Sequence, residues 1–217
     1  MSNLTTLEQL LQELHLKGME KALGPVLANA ENSGLSVQEV IYALLLEEKK
    51  HRQERSLQYR IKQAKLPYEW TLESFPFQLQ PSIDKSRIMG LAGLNFIQRG
   101  DNIVLIARPG RGKTGLAIGL MRKALIQGYR SRFYKVQDLL DELGYLTLNQ
   151  EQMNKFFKLM DERYTKSKST IITTNLCYEK WYDILQPKSM VDALLDRLKH
   201  RCVTISIKGE SLRRPTE

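Results

Sequence analysis

The sequence predicts an α/β fold: a parallel sheet flanked by helices, with a small helical domain ahead of it. Three observations predict it. An apolar run, Ile103 to Ile106, enters a Pro/Gly-rich turn that ends in Lys113-Thr114. Leu116, Ala117, Ile118, Leu120, Met121, Ala124 and Leu125 then recur at helical spacing. Two further β-branched runs, 170–174 and 203–207, alternate with helical patterns, as a parallel sheet requires.

Each element follows from local chemistry. Leu4, Leu7, Leu11 and Leu14 form a helical stripe, and Thr5-x-x-Glu8 offers a capping box. Gly24-Pro25 predicts a break or kink, and Asn32-Ser33-Gly34 a turn. Ser36-x-x-Glu39 opens a second helix with Val37, Val40, Ile41, Leu44 and Leu45 on its apolar side. Residues 1–65 read as one helical domain. Residues 66–100 read as a connector interrupted by Pro67, Pro76 and Pro81, with Trp70, Leu72, Phe75 and Phe77 as apolar anchors and a helix from Ile88 to Phe96. Residues 101–217 form the core. In it, Gly128 stops the first helix, Arg132 to Val136 reads as a strand, and Asn149 to Tyr164 and Ser189 to Leu198 read as helices.

The chain of 217 residues carries a net charge of +9, which suits a polyanionic partner. The excess concentrates in 47–65, where Lys49, Lys50, Arg52, Arg55, Arg60, Lys62 and Lys65 face only Glu47, Glu48 and Glu54. Tyr59 and Tyr68 sit in or beside the run. Basic side chains on a helix neutralise phosphates and aromatics stack on bases, so DNA is the expected partner; the alternative is a solvated helix face. Cys177 and Cys202 lack metal-ligand spacing with His15, His51 or His200. With neither a leader pattern nor a membrane-length apolar run, the expected location is cytoplasmic and no membrane partner is expected.

Strand, glycine loop, Lys-Thr and helix together make a phosphate-binding P-loop. Gly110 and Gly112 allow positive φ and close approach to phosphate oxygens. Successive N–H groups of Arg108, Pro109's neighbours, Arg111 and Gly115 would form an anion-binding nest at the helix start. Lys113 would place its ammonium on the β- and γ-phosphates, and Thr114 its hydroxyl on Mg²⁺. The motif asks for glycine at the first position and has Ala107, tolerable only at negative φ. An ordinary Gly-rich turn before Lys-Thr is the competing reading.

The chain resembles the IstB-like helper ATPases of bacterial insertion-sequence transposition, relatives of the AAA+ helicase loaders. The resemblance rests on the P-loop, Phe75-Pro76-Phe77, Asp141-Glu142-Leu143-Gly144-Tyr145-Leu146, Ser169 to Asn175, Leu194 to Leu198 and Lys208-Gly209-Glu210-Ser211. It implies an AAA+-like core, ATP and Mg²⁺ as cofactors, a transposase partner and assembly of copies on DNA. It implies that Asp141 holds Mg²⁺, Glu142 activates the attacking water, Asn175 orients that water, and Arg197 reaches a neighbouring subunit's γ-phosphate. The bland alternatives are exposed helix residues for Asp141 and Glu142, a turn residue for Asn175, and a surface pair with Asp196 or Asp192 for Arg197. Ser211, Arg213 and Arg214 read equally as a nucleotide sensor or a basic tail.

The spacing departs from this pattern. Lys113 and Asp141 are 28 positions apart, where a helix, a strand, a second helix and the next strand need roughly 40–45 residues. Polar Gln137 and Asp138 interrupt the apolar run before Asp141. The core is therefore expected to lack one strand–helix unit near 137–146; the resembling family has Asp-Glu-Leu on both sides of that unit, which implies an internal deletion joined at the short repeat. Phe133 to Val136 is then expected to replace the lost strand, or the sheet to keep a gap. ATP binding is expected to weaken and hydrolysis mostly to be lost. The rival functions are a helicase loader and a non-catalytic DNA-binding remnant.

Overall fold

A computed structural model describes residues 3–135, 150–185 and 187–212. The chain divides into two compact units, Met1–Gln63 and Ala64–Glu217.

The first unit is helical: α1 (Asn3–Glu13), α2 (Lys17–Ser33) and α3 (Val37–Ala64, whose last residue belongs to the second unit). Thr5 lies inside α1, so the expected capping box does not start that helix. The chain breaks at His15, which takes φ 56°, and α2 runs on through Pro25. Proline removes one helical hydrogen bond, but Met19, Leu23, Val26 and Leu27 hold both halves of α2 against Leu11 and Leu44. Gly34, at φ 63°, closes α2. The Ser36 box does form: Ser36 N–H donates to Glu39 Oε2 at 2.8 Å, and Glu39 N–H to Ser36 Oγ at 3.3 Å.

Glu48 ties α3 to α2. Its Oε2 accepts the Gly18 and Met19 N–H groups at 2.7 and 3.3 Å. These are open first-turn donors, and Leu16 provides no side-chain cap. A Cβ on Gly18 would stand 2.6 Å from Glu48 Cα, so only glycine allows this approach. Burial pushes the Glu48 pKa up. The Arg52 hydrogen bond and the two N–H groups outweigh that and hold it below the ordinary value.

The second unit holds α4 (Lys85–Ala92), α5 (Asn95–Arg99), β1 (Asn102–Ala107), α6 (Lys113–Ile126), α7 (Gln150–Thr165), β2 (Ile171–Thr174), α8 (Trp181–Ile184), α9 (Lys188–His200) and β3 (Cys202–Ile207). The stretch expected as one helix from Ile88 to Phe96 is two, parted at Gly93 and at Leu94, which takes φ 63°. Asp84 caps α4 through the Ser86 and Arg87 N–H groups.

The three strands are parallel, in the order β2-β1-β3. Ile103 pairs with Ile171 and Val203, and Ile106 with Thr174 and Ser206. Side chains alternate across β1. Ile103 and Leu105 join Leu116, Leu120 and Phe75 on one face; Val104 joins Phe157, Val191, Leu194 and Leu198 on the other. Both faces are covered, which explains why β1 reads as an unbroken apolar run.

The expected strand at Arg132 to Val136 is corrected: residues 132–135 form no regular element, and Val136 lies outside the described residues. A strand exists only beside a neighbour, and among the described residues no strand pairs with 132–135. Phe133 N–H turns instead to the Ala64 carbonyl at 2.8 Å. The described sheet has no internal gap: β2 lies directly on β1, and among the described residues it is the outermost strand on that side.

Candidate nucleotide site

β1 delivers the chain to the loop at the strands' C-terminal end, where parallel α/β sheets bind their ligands. Ala107 closes β1 and keeps an ordinary negative φ, so its methyl group brings no left-handed strain. Arg108 and Pro109 are exposed, and Gly110 to Thr114 half-buried. Gly110 and Gly112 take φ 80° and 84°. α6 then starts at Lys113, with its first N–H groups at the loop. Gly115 is buried one turn in.

Lys113 Nζ donates to the Ala107 carbonyl at 2.5 Å and to the Arg108 carbonyl at 3.0 Å. The ammonium thus lies over the loop mouth. These features fit the phosphates of a nucleotide: two left-handed glycines, an open helix start and a cation at the mouth. For Mg²⁺ the fit is partial. Thr114 offers one hydroxyl, and among the described residues no cluster of three His, Cys, Asp or Glu side chains could hold a metal. Asp141 and Glu142 lie outside the described residues, as do Arg213 and Arg214.

Two segments far apart in the sequence shape the loop. Trp70, Leu72 and Phe75 lie against Gly115, Gly119 and Gly112, where an added Cβ would come within 3.1, 2.6 and 2.7 Å of them. The Leu212 N–H donates to the Gly110 carbonyl at 2.8 Å. Fully buried Gln80 gives its Nε2 hydrogen bond to the Glu210 carbonyl at 2.5 Å. The aromatic anchors are legible in the sequence; Gln80 and Leu212 carry no local signal, because their partners lie far along the chain.

Asn175 follows Thr174, whose register partner Ile106 precedes Ala107, so it stands exposed beside the loop. Arg197 does not. It lies in the last turn of α9, ahead of β3, and borders a cavity of about 110 Å³ with Asn102, Arg163 and Thr170, where the strands begin. Its partner is Asp161, at 2.8 Å, and its guanidinium lies over the Tyr164 ring. The surface pairs expected with Asp192 or Asp196 do not appear among the described contacts; Asp192 accepts from the Tyr182 hydroxyl at 2.6 Å.

A parallel sheet, a glycine loop at its C-terminal end and a lysine at the next helix start define the P-loop class of nucleotide-binding α/β proteins. The chain belongs to the family of IstB-like ATP binding proteins, which matches residues 9–143 and again 139–217. It is 36% identical over 234 residues to an insertion-sequence IS21 ATP-binding protein of Pseudomonas aeruginosa, covering 95% of this chain and 88% of that one. It is 33% identical over 227 residues to an insertion-sequence IS5376 ATP-binding protein of Geobacillus stearothermophilus, covering 92% and 90%. A crystal structure of DnaI superposes with a TM-score of 0.55 at 15% identity, over 67% of this chain and 91% of that one, and shows the shared fold.

The matches also bear on the length of the core. The two family matches overlap on Leu139 to Leu143, the stretch that contains Asp-Glu-Leu. With 95% of 217 residues aligned over 234 positions, about 28 positions of the P. aeruginosa alignment have no counterpart here, close to the size of one strand–helix unit. The core is a P-loop α/β sheet of three described strands that shares its fold with DnaI.

Proposed function

We propose that this chain is an ATP-binding, DNA-binding helper of an insertion-sequence transposase whose shortened core hydrolyses ATP poorly. The observation that carries the reading is Lys113 held over a loop of two left-handed glycines at the start of α6. Family membership supports ATP as the nucleotide. Residues 108–115 hold the phosphates, and Thr114, with Asp141, takes Mg²⁺. Mg²⁺ supplies charge neutralisation at the phosphates when bound.

Glu142 is the proposed base and Asn175 the residue that orients water. The exposed position of Asn175 beside the loop supports its part. Arg197 lies toward the end of the sheet away from its own loop. Any action on a γ-phosphate is therefore on another copy's, in the assembly of copies on DNA that the family resemblance implies. The loss of about 28 positions next to Asp141 and Glu142 is the reason to expect poor hydrolysis.

For DNA, the support is the exposed Lys49, Lys50, Arg52, Arg55 and Lys62 on α3. Residues 1–65 are the proposed DNA- or partner-binding domain, 66–100 the connector, and 101–217 the ATPase core. The insertion-sequence setting of the relatives supports the transposase partner. No described helix is long and apolar enough to cross a membrane, and the cytoplasm is the proposed location. The split family match favours one rival, a non-catalytic DNA-binding remnant. Equilibrium binding of labelled Mg-ATP and of labelled duplex DNA to the full chain tests both. Binding of both ligands upholds the first reading; DNA binding without ATP binding leaves the remnant; binding of neither removes both.

A further inference from the structure

The two outer edges of the sheet are treated differently. Arg201 and Thr170 give their carbonyls to β1, to the N–H groups of Asn102 at 2.7 Å and Ile103 at 2.9 Å. Backbone groups alternate sides along a strand. Hence Thr204, Ser206 and Lys208 point outward from β3, and Ile171 and Thr173 point outward from β2. The β3 edge is dressed: Arg87 donates to the Thr204 carbonyl at 3.4 Å, and the Lys208 N–H donates to Ser82 Oγ at 2.9 Å. Among the described residues, the outward N–H and C=O groups of Ile171 and Thr173 have no such partner.

The composition of this edge suits an interior position. Ile171, Ile172, Thr173 and Thr174 are all β-branched, and residues 169–178 carry no charged side chain. Edge strands ordinarily carry a lysine, a proline or a bulge that blocks further pairing. β2 has none, and its register with β1 is continuous. A sequence suited to lie between two strands has, among the described residues, one neighbour, and the shortening accounts for the mismatch.

We propose that the outer edge of β2 pairs with the same edge of a second copy of this chain. In the antiparallel arrangement a two-fold axis passes through Ile172. Ile171 of each copy faces Thr173 of the other, and each such pair exchanges two N–H···O bonds. Charge selects this direction. It sets Lys168 of each copy alongside the uncharged stretch 169–178 of the other, whereas parallel pairing stacks Lys168 on Lys168. An edge of four residues is small against the ~1,200 Å² of a standard interface, so the association is weak and concentration-dependent.

Sedimentation equilibrium of the full chain from about 1 to 200 µM tests this, a range that brackets a weak dimer. The expected mass rises from 25.1 kDa toward twice that value. Thr173 is exposed, so Thr173→Lys puts a charge on the edge without touching the core. It should hold the protein monomeric over the whole range with an unchanged melting temperature. Thr173→Glu repeats the test if the lysine variant folds poorly. A wild-type chain that stays monomeric throughout overturns the proposal, as does a dimer that both variants leave intact.

Discussion

Lys113 Nζ and the Ala107 carbonyl oxygen stand 2.5 Å apart, so the ammonium of the loop lysine is held by the last residue of β1. The strand end thus fixes both the loop's origin and its principal cation. To meet a phosphate, Lys113 gives up the Ala107 and Arg108 carbonyls for an anionic acceptor, and charge-assisted bonds are the stronger kind.

Lys113→Ala should therefore weaken Mg-ATP binding about 10- to 100-fold, from the ~1.5–3 kcal/mol of a hydrogen bond to a charged group. Isothermal titration calorimetry measures it.

Gly112→Ala should cost about 1–3 kcal/mol of stability. A Cβ there would stand 2.7 Å from the Phe75 ring at φ 84°, so the loop must shift to admit it. Chemical denaturation reads the loss, and nucleotide affinity should fall with it. Gly128→Ala is the comparison: φ is 95° there, but a Cβ meets nothing within 4 Å, so strain acts alone and the loop is untouched.

The Glu48 carboxylate predicts an acid-sensitive α2. Its folded pKa lies below the ordinary 4.5. Its contribution is therefore complete above the unfolded value and is lost as pH falls through the folded one. Amide exchange across residues 17–33 should quicken relative to α6 below about pH 4.5, the ordinary glutamate range. Glu48→Gln should flatten that dependence and lower stability by about 1–2 kcal/mol at neutral pH.

Much of this architecture is legible locally, and the failures share a cause. β1, α6 and the loop are readable because strand, turn and helix chemistry all lie within one short stretch. The Ser36 box is readable for the same reason. Residues 132–135 look like a strand because Phe133 and Tyr134 favour one, but pairing depends on a neighbour that local sequence does not contain. Pro25 looks like a breaker because the packing that holds α2 together comes from Leu11 and Leu44. The Glu48 cap joins residues 30 apart, and Gln80 and Glu210 meet across 130. The site divides likewise: the cradle is readable from 107–115, whereas the Leu212 support is visible only in the fold.

DNA binding should be salt-dependent and carried by α3. Replacing Lys49, Lys50, Arg55 and Lys62 with alanine, one phosphate contact each, should reduce the magnitude of the log affinity–log salt slope by about 3.6. Fluorescence anisotropy across a salt series measures this. An unchanged slope would place DNA binding elsewhere.

Restoring the absent segment should restore chemistry. Inserting the corresponding stretch of about 28 residues from the P. aeruginosa relative at Leu139–Leu143 should raise ATP turnover at least about 100-fold. That is the scale of a positioned general base. Phosphate release under saturating Mg-ATP reports it.

The most direct test of the account is the melting temperature of the full chain as Mg-ATP is titrated, beside Lys113→Ala. Ligand at about 100 times Kd adds about 2.7 kcal/mol, or roughly 5–10 °C for a chain of this size. The account predicts a rise that grows with the logarithm of Mg-ATP concentration and reaches that order in the wild type, and a clearly smaller rise at the same concentrations in the variant. A wild-type chain that does not respond, or a variant that responds equally, would contradict it.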